Sequence, residues 1–92
     1  MPAVRRRILV FLAKYREDSP NLPPSLSAIR EVVLEDNATL IEQLGVLTDL
    51  GLAEHSQDAG GINRWKPTAK GREEAALPAA PWEAEERPAP LA

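Results

Sequence analysis

Apolar residues recur at helical spacing in three separate stretches of this chain, and this spacing limits the folds that it can adopt. The stripes comprise Val4, Ile8, Phe11, Leu12 and Tyr15, then Leu26, Ile29 and Val33, then Leu40, Leu44, Leu47 and Leu50. Intervals of three and four residues place each set on one face of a helix. The spacing therefore predicts helices near residues 3–16, 25–34 and 37–50.

Residues that end or begin helices separate the three stripes. Pro20 must stop the first helix, because proline has no amide hydrogen to donate and disfavours helix in the residue before it. Ser25 is a suitable N-cap for the second helix. Thr39 and Glu42 have the spacing of a capping box. The expected N-cap of the third helix is Asp36, Asn37 or Thr39.

The helical period stops at Gly51, where a left-handed residue would end the third helix. Residues 52–56 and 62–66 then have the composition of two short strands, and the segment 57–61 between them contains Gly60-Gly61. This pattern indicates a β-hairpin. Thr68 is placed to cap a last short helix. Within the third helix, Gly45 suggests close packing or a local bend, because glycine is unfavourable in a helix.

The order of helix, helix, helix, strand, strand predicts a mainly α fold with a small β-hairpin. Since a short polar turn joins the second and third helices, this is the winged helix-turn-helix arrangement, a three-helix core plus wing. We assign residues 1–76 to this domain. Of the sixteen residues in 77–92, four are proline and most others are alanine or glutamate. This composition predicts a disordered acidic Pro/Ala-rich tail, from which Trp82 could still dock on the domain.

Three stretches resemble bacterial winged-helix regulators. LPPSLSAIREVV (residues 22–33) and ATLIEQLGVLTDLGLAE (residues 38–54) resemble the DNA-binding domain of the LexA repressor. RWKPTAKGREE (residues 64–74) resembles the end of the wing in MarR-type regulators. The resemblance implies a small cytoplasmic, repressor-like transcription regulator of bacterial or phage type that binds double-stranded DNA.

In such families the third helix offers polar side chains to base edges, and the wing meets phosphates or the minor groove. The resemblance thus implies DNA contacts from Asn37, Thr39, Gln43, Arg64, Lys66 and Lys70. The alternative interpretation makes these residues helix caps, solvated polar groups and strand charges that discourage edge pairing. Alternation along the second strand places Trp65 opposite Arg64 and Lys66, and therefore in the core.

The charge distribution bears on this function. Residues 1–72 contain ten Lys and Arg against nine Asp and Glu, a net charge of +1, whereas residues 73–92 contain one against five, a net charge of −4. A body so near neutral makes few phosphate contacts, so we expect a homodimer that spans two half-sites. The cations at residues 5–7 are expected on a solvated helix face, or else along a phosphate backbone.

Acidic residues favour an alternative function. Glu42 and Asp49 on the third helix would repel phosphates, and they would suit a winged helix that binds a protein instead of DNA. The acidic tail is a second candidate site for a protein partner. A contiguous positive surface over the third helix and the wing would favour DNA, and a negative one would favour protein.

Catalytic and membrane functions have little support in the sequence. Cysteine is absent, which excludes disulfides and thiolate metal sites. His55 is the only histidine, and Ser56 beside it would point to the opposite face of a strand. The apolar run at residues 8–13 is too short to span a membrane. We therefore expect a cytoplasmic protein without enzymatic activity, metal or cofactor.

Overall fold

A computed structural model of the protein describes residues 2–77 and shows a winged helix-turn-helix fold. Its elements are α1 (Pro2–Asp18), α2 (Leu26–Val33), α3 (Asn37–Asp49), β1 (Ala53–Gln57), β2 (Asn63–Pro67) and α4 (Ala69–Ala75). The predicted order of three helices and a hairpin is confirmed, and both strands begin one residue later than predicted. Apart from Leu77, the tail predicted for residues 77–92 lies outside the described residues.

Side-chain caps fix where the helices begin. Ser25 caps α2 by accepting a hydrogen bond from the amide of Ala28, as predicted. Asp36 caps α3, because its Oδ1 accepts from the Thr39 amide at 2.7 Å. This hydrogen bond holds the pKa of Asp36 below its ordinary value. The predicted Thr39 capping box is wrong, since Thr39 already lies within α3.

Left-handed residues stand on both sides of α3. Leu34, which follows α2, has φ 59°, and its amide donates to the carbonyl of Arg30 at 3.0 Å. Gly51 has φ 75° and ends α3 as predicted. The expectation of close packing at Gly45 is wrong, because a Cβ built there meets no other described atom within 4 Å.

The wing is an antiparallel hairpin in which His55 lies opposite Trp65 and Gln57 lies opposite Asn63. A third, one-residue strand joins it, since Ser25 forms an isolated bridge with Arg64. The sequence gave no signal for this bridge, because a single paired residue produces no alternation. The bridge attaches the loop before α2 to the outer edge of β2.

The core lies between the three helices and the hairpin. All three apolar stripes contribute to it, as predicted, and Trp65 is only 8% exposed. The fully buried side chains include Ile8, Leu9, Leu12, Ile29, Leu40, Leu44, Leu47 and Leu52. Leu50 departs from the prediction, because it lies at the exposed end of α3.

The short helix α4 is docked on the end of α3. Thr68 caps it, as predicted, by accepting from the Gly71 amide at 3.0 Å. The Thr68 hydroxyl donates to the carbonyl of Gly51 at 2.7 Å, and the Thr68 amide donates to the carbonyl of Leu52 at 3.0 Å. These bonds hold α4 against the turn that leads into β1. Within residues 2–77, no helix combines the length and apolarity needed to cross a bilayer.

Candidate nucleic-acid interface

A groove of about 440 Å³ separates α3 from the hairpin, and we call it the α3–hairpin groove. In winged helices this is the side on which the third helix and the wing meet DNA. Its residues are apolar or uncharged, and they are Ser25, Leu26, Ser27, Ile41, His55, Ile62, Asn63 and Trp65. Ile41 and Ile62 are about half exposed. The groove therefore offers neutral hydrogen-bonding groups beside apolar surface.

The polar groups of the hairpin are connected across the strands. Asn63 Oδ1 accepts a hydrogen bond from Gln57 Nε2 at 3.1 Å and lies 2.8 Å from His55 Nε2. The His55 ring also packs beside Trp65, with ring centroids 5.2 Å apart. This connection orients the Asn63 amide group next to the groove. Sequence reasoning missed these residues, although alternation from the buried Trp65 places Asn63 on the same face.

The predicted α3 contacts occupy different environments. Asn37 is exposed at the first residue of α3, and Thr39 is half-buried one turn of backbone further on. Gln43 is only 3% exposed, and its Oε1 accepts from Arg5 Nε at 3.0 Å. Because a buried guanidinium needs acceptors, the Gln43 side chain is committed to α1. Its burial removes Gln43 from the predicted DNA contacts, and the expectation that Arg5 is solvated is wrong.

The predicted wing cations do not line the groove. Arg64 is half-buried, with Nε 2.9 Å from Asp58 Oδ2, and it donates to the carbonyl of Pro23 at 2.8 Å. Lys66 is exposed, and its Nζ lies 3.4 Å from Glu54 Oε2. Both lie on the hairpin face opposite Trp65, as alternation predicts. Lys70 is exposed on α4. The predicted residues therefore lie on more than one side of the molecule.

Asp58 organises the turn at the tip of the wing. Its Oδ1 accepts from the amides of Gly60 and Ile62, at 2.8 and 3.0 Å, and Gly61 takes φ 79°. Hydrogen bonding from Arg64, followed by the Ile62 amide, lowers the pKa of Asp58. The wing tip is therefore an ordered turn that carries a carboxylate.

The lowered pKa of Asp58 predicts acid sensitivity. A carboxyl whose pKa is lower when folded stabilises the fold above its unfolded value of about 3.9, and this stabilisation is lost as the pH falls through the folded pKa. We expect the free energy of unfolding in urea to fall between pH 5 and pH 2.5, and to fall less in Asp58→Asn. An equal loss in the variant would show that Asp58 makes no such contribution.

Charge is distributed unevenly over the chain. Residues 31–63 contain seven Asp and Glu and no Lys or Arg, so α3 and β1 carry no cation. Glu42 and Asp49 are both exposed on α3. In contrast, α1 contains Arg5, Arg6, Arg7, Lys14 and Arg16. The side of α3 is therefore acidic and the side of α1 is basic. Residues 2–77 hold no cluster of three or more His, Asp or Glu side chains arranged to bind a metal ion.

The fold is similar to that of a solved protein from Ralstonia eutropha JMP134, which is provisionally described as DNA-binding. The two structures superpose with a TM-score of 0.73 at 25% sequence identity, over 83% of this chain and 94% of the other. No protein-family model matches this chain, and no curated protein sequence does. The likeness extends over nearly the whole of the Ralstonia protein, so both share the helices and the wing.

Proposed function

We propose that this chain is a winged-helix protein that binds double-stranded DNA and regulates transcription. The observation that carries the proposal is the shared fold with the Ralstonia protein described as DNA-binding. The short stretches that resemble LexA and MarR-type regulators support the same function, of a cytoplasmic, repressor-like and bacterial kind. Because fold alone does not fix function, the proposal needs the contacts that the surface can make.

In this proposal α3 enters the major groove. Asn37 at its N-terminus, together with Ser27 and Asn63 at the edge of the α3–hairpin groove, supplies neutral donors and acceptors for base edges. The exposed Ile41 supplies an apolar contact of the kind that suits the methyl group of thymine. Sequence would then be read with few charged contacts.

The absence of cations between residues 31 and 63 limits the affinity of one domain. Phosphate contacts supply most of the non-specific binding energy, so a single copy should bind weakly and with a shallow dependence on salt. We therefore propose that the functional unit is a homodimer, which engages two half-sites of a duplex.

Removing a carboxylate from α3 tests the proposal. We expect Glu42→Gln to strengthen binding to mixed duplex DNA at low salt by up to about fivefold, because charges about 4 Å apart in water repel by about 1 kcal/mol. The measurement is a fluorescence-anisotropy titration at 50 and 200 mM salt. The gain should shrink at the higher salt, where the charge is screened.

The matched control is Glu17→Gln, which removes the same charge from an exposed site on α1, outside the α3–hairpin groove. It should change the DNA affinity little. If wild-type protein and Glu42→Gln both bind DNA without any dependence on salt, or not at all, the DNA-binding proposal is rejected.

The acidic segment at residues 31–63 favours one second candidate, a winged helix that binds a protein. Carboxylates around the half-apolar α3–hairpin groove would suit a partner with basic and apolar residues. Under this function Glu42→Gln would weaken the complex, whereas under the first it strengthens binding to DNA. The same variant thus gives opposite results for the two functions.

A further inference from the structure

A second groove, of about 350 Å³, lies between α1 and α2 on the basic side of the molecule. We call it the α1–α2 groove. Val10, Phe11, Val32 and Val33 form its apolar floor, and Arg6, Arg7 and Lys14 stand around it. Val32 is 59% exposed and Val10 is 43% exposed. The described residues thus leave an apolar strip uncovered and bordered by cations.

The charges around the α1–α2 groove identify the chemistry that fits it. An occupant needs apolar surface for Val10 and Val32 and carboxylates for Arg7 and Lys14. Arg7 already shows the second preference, because its guanidinium lies 3.1 Å from Glu35 Oε1. A second copy of this groove is a poor occupant, since symmetric packing would bring cations against cations.

The chain leaves its described part beside the same groove. Arg6, at the groove edge, donates to the carbonyl of Glu74 at 2.7 Å and also to the carbonyl of Leu77. Trp82 follows five residues later, and an extended chain of that length spans up to about 17 Å. Glu83, Glu85 and Glu86 come directly after it. The required apolar and acidic groups therefore occur together within reach of the groove.

We propose that residues 81–86 bind back into the α1–α2 groove as an extended segment. Trp82 covers Val10 and Val32, and the glutamates that follow face Lys14 and Arg7. The segment needs no fold of its own, because its tether supplies an effective concentration in the millimolar range. A bulky aromatic ring supplies most of the apolar contact.

The test uses tryptophan fluorescence of the full chain, which contains only Trp65 and Trp82. Trp82→Phe gives the signal of Trp65 alone, to be subtracted from the others. In wild-type protein we expect blue-shifted Trp82 emission that acrylamide quenches weakly. Val32→Asp places a carboxylate on the groove floor, so Trp82 emission should shift to the red and its quenching should increase. Lys14→Glu, an exposed change, should do the same.

Leu22→Asp is the matched control, because Leu22 is also about half exposed but lies in the loop before α2. It should leave the Trp82 signal unchanged, and circular dichroism checks that each variant is folded. Trp82 emission that is already red-shifted in wild-type protein would overturn the proposal. So would protection that survives Val32→Asp and Lys14→Glu, or protection that disappears on dilution as a second copy dissociates.

Discussion

Replacing Gly71 by alanine is expected to lower the free energy of unfolding by about 3 kcal/mol or more, the upper range for overpacking a filled site. A Cβ at this position would lie 2.0 Å from the carbonyl oxygen of Leu52 and 3.0 Å from its carbon. Both are backbone atoms, and the same carbonyl accepts from the Thr68 amide at the start of α4. The helix therefore cannot move away from Leu52 without breaking the bond that docks it.

Gly45→Ala is the matched control for this prediction. Gly45 is exposed in α3 and its added methyl would meet no described atom within 4 Å, so the higher helix propensity of alanine should stabilise the protein by about 1 kcal/mol. Urea unfolding of both variants measures the two effects. The same chemical change is expected to act with opposite signs. A Gly71→Ala variant as stable as the wild type would show that α4 does not dock on Leu52.

The local features of this fold could be predicted from the sequence because their causes are local. Helical spacing located α1, α2 and α3, and the caps at Ser25 and Thr68 lie within three residues of the amides that they bind. The core position of Trp65 followed from the alternation of one strand. Each of these inferences needs only residues that are neighbours in the chain.

The errors occurred where a residue's partner is distant in the chain. Gln43 lies three residues after Leu40 and four before Leu47, so its position on α3 is core-facing, but its polarity suggested an exposed contact. Only its pairing with Arg5, 38 residues away, explains why an amide is buried there. Arg64 likewise bonds to Pro23, 41 residues away. Nothing in the sequence shows which long-range acceptors will be available.

The same difference separates the predicted interface from the observed one. A search for cations selected Arg64 and Lys66, whereas the groove beside α3 is lined by uncharged residues such as Ser27 and Asn63. Cations are easy to recognise in a sequence, but their direction depends on strand register. The observed surface therefore favours recognition by neutral contacts, supported by a second copy on the duplex.

Leu44→Ala is expected to lower the free energy of unfolding by about 2–5 kcal/mol, the range for removing a buried leucine and leaving a cavity. Leu44 is 0% exposed, and a domain this small has few core residues to share the loss. Thr48→Ala, one turn later, is the control, because Thr48 is exposed and its hydroxyl bonds only to the Leu44 carbonyl at 2.8 Å. Surface changes of this kind stay within about 0.5 kcal/mol. Urea unfolding compares the two variants, and equal losses would mean that α3 presents a different face to the core.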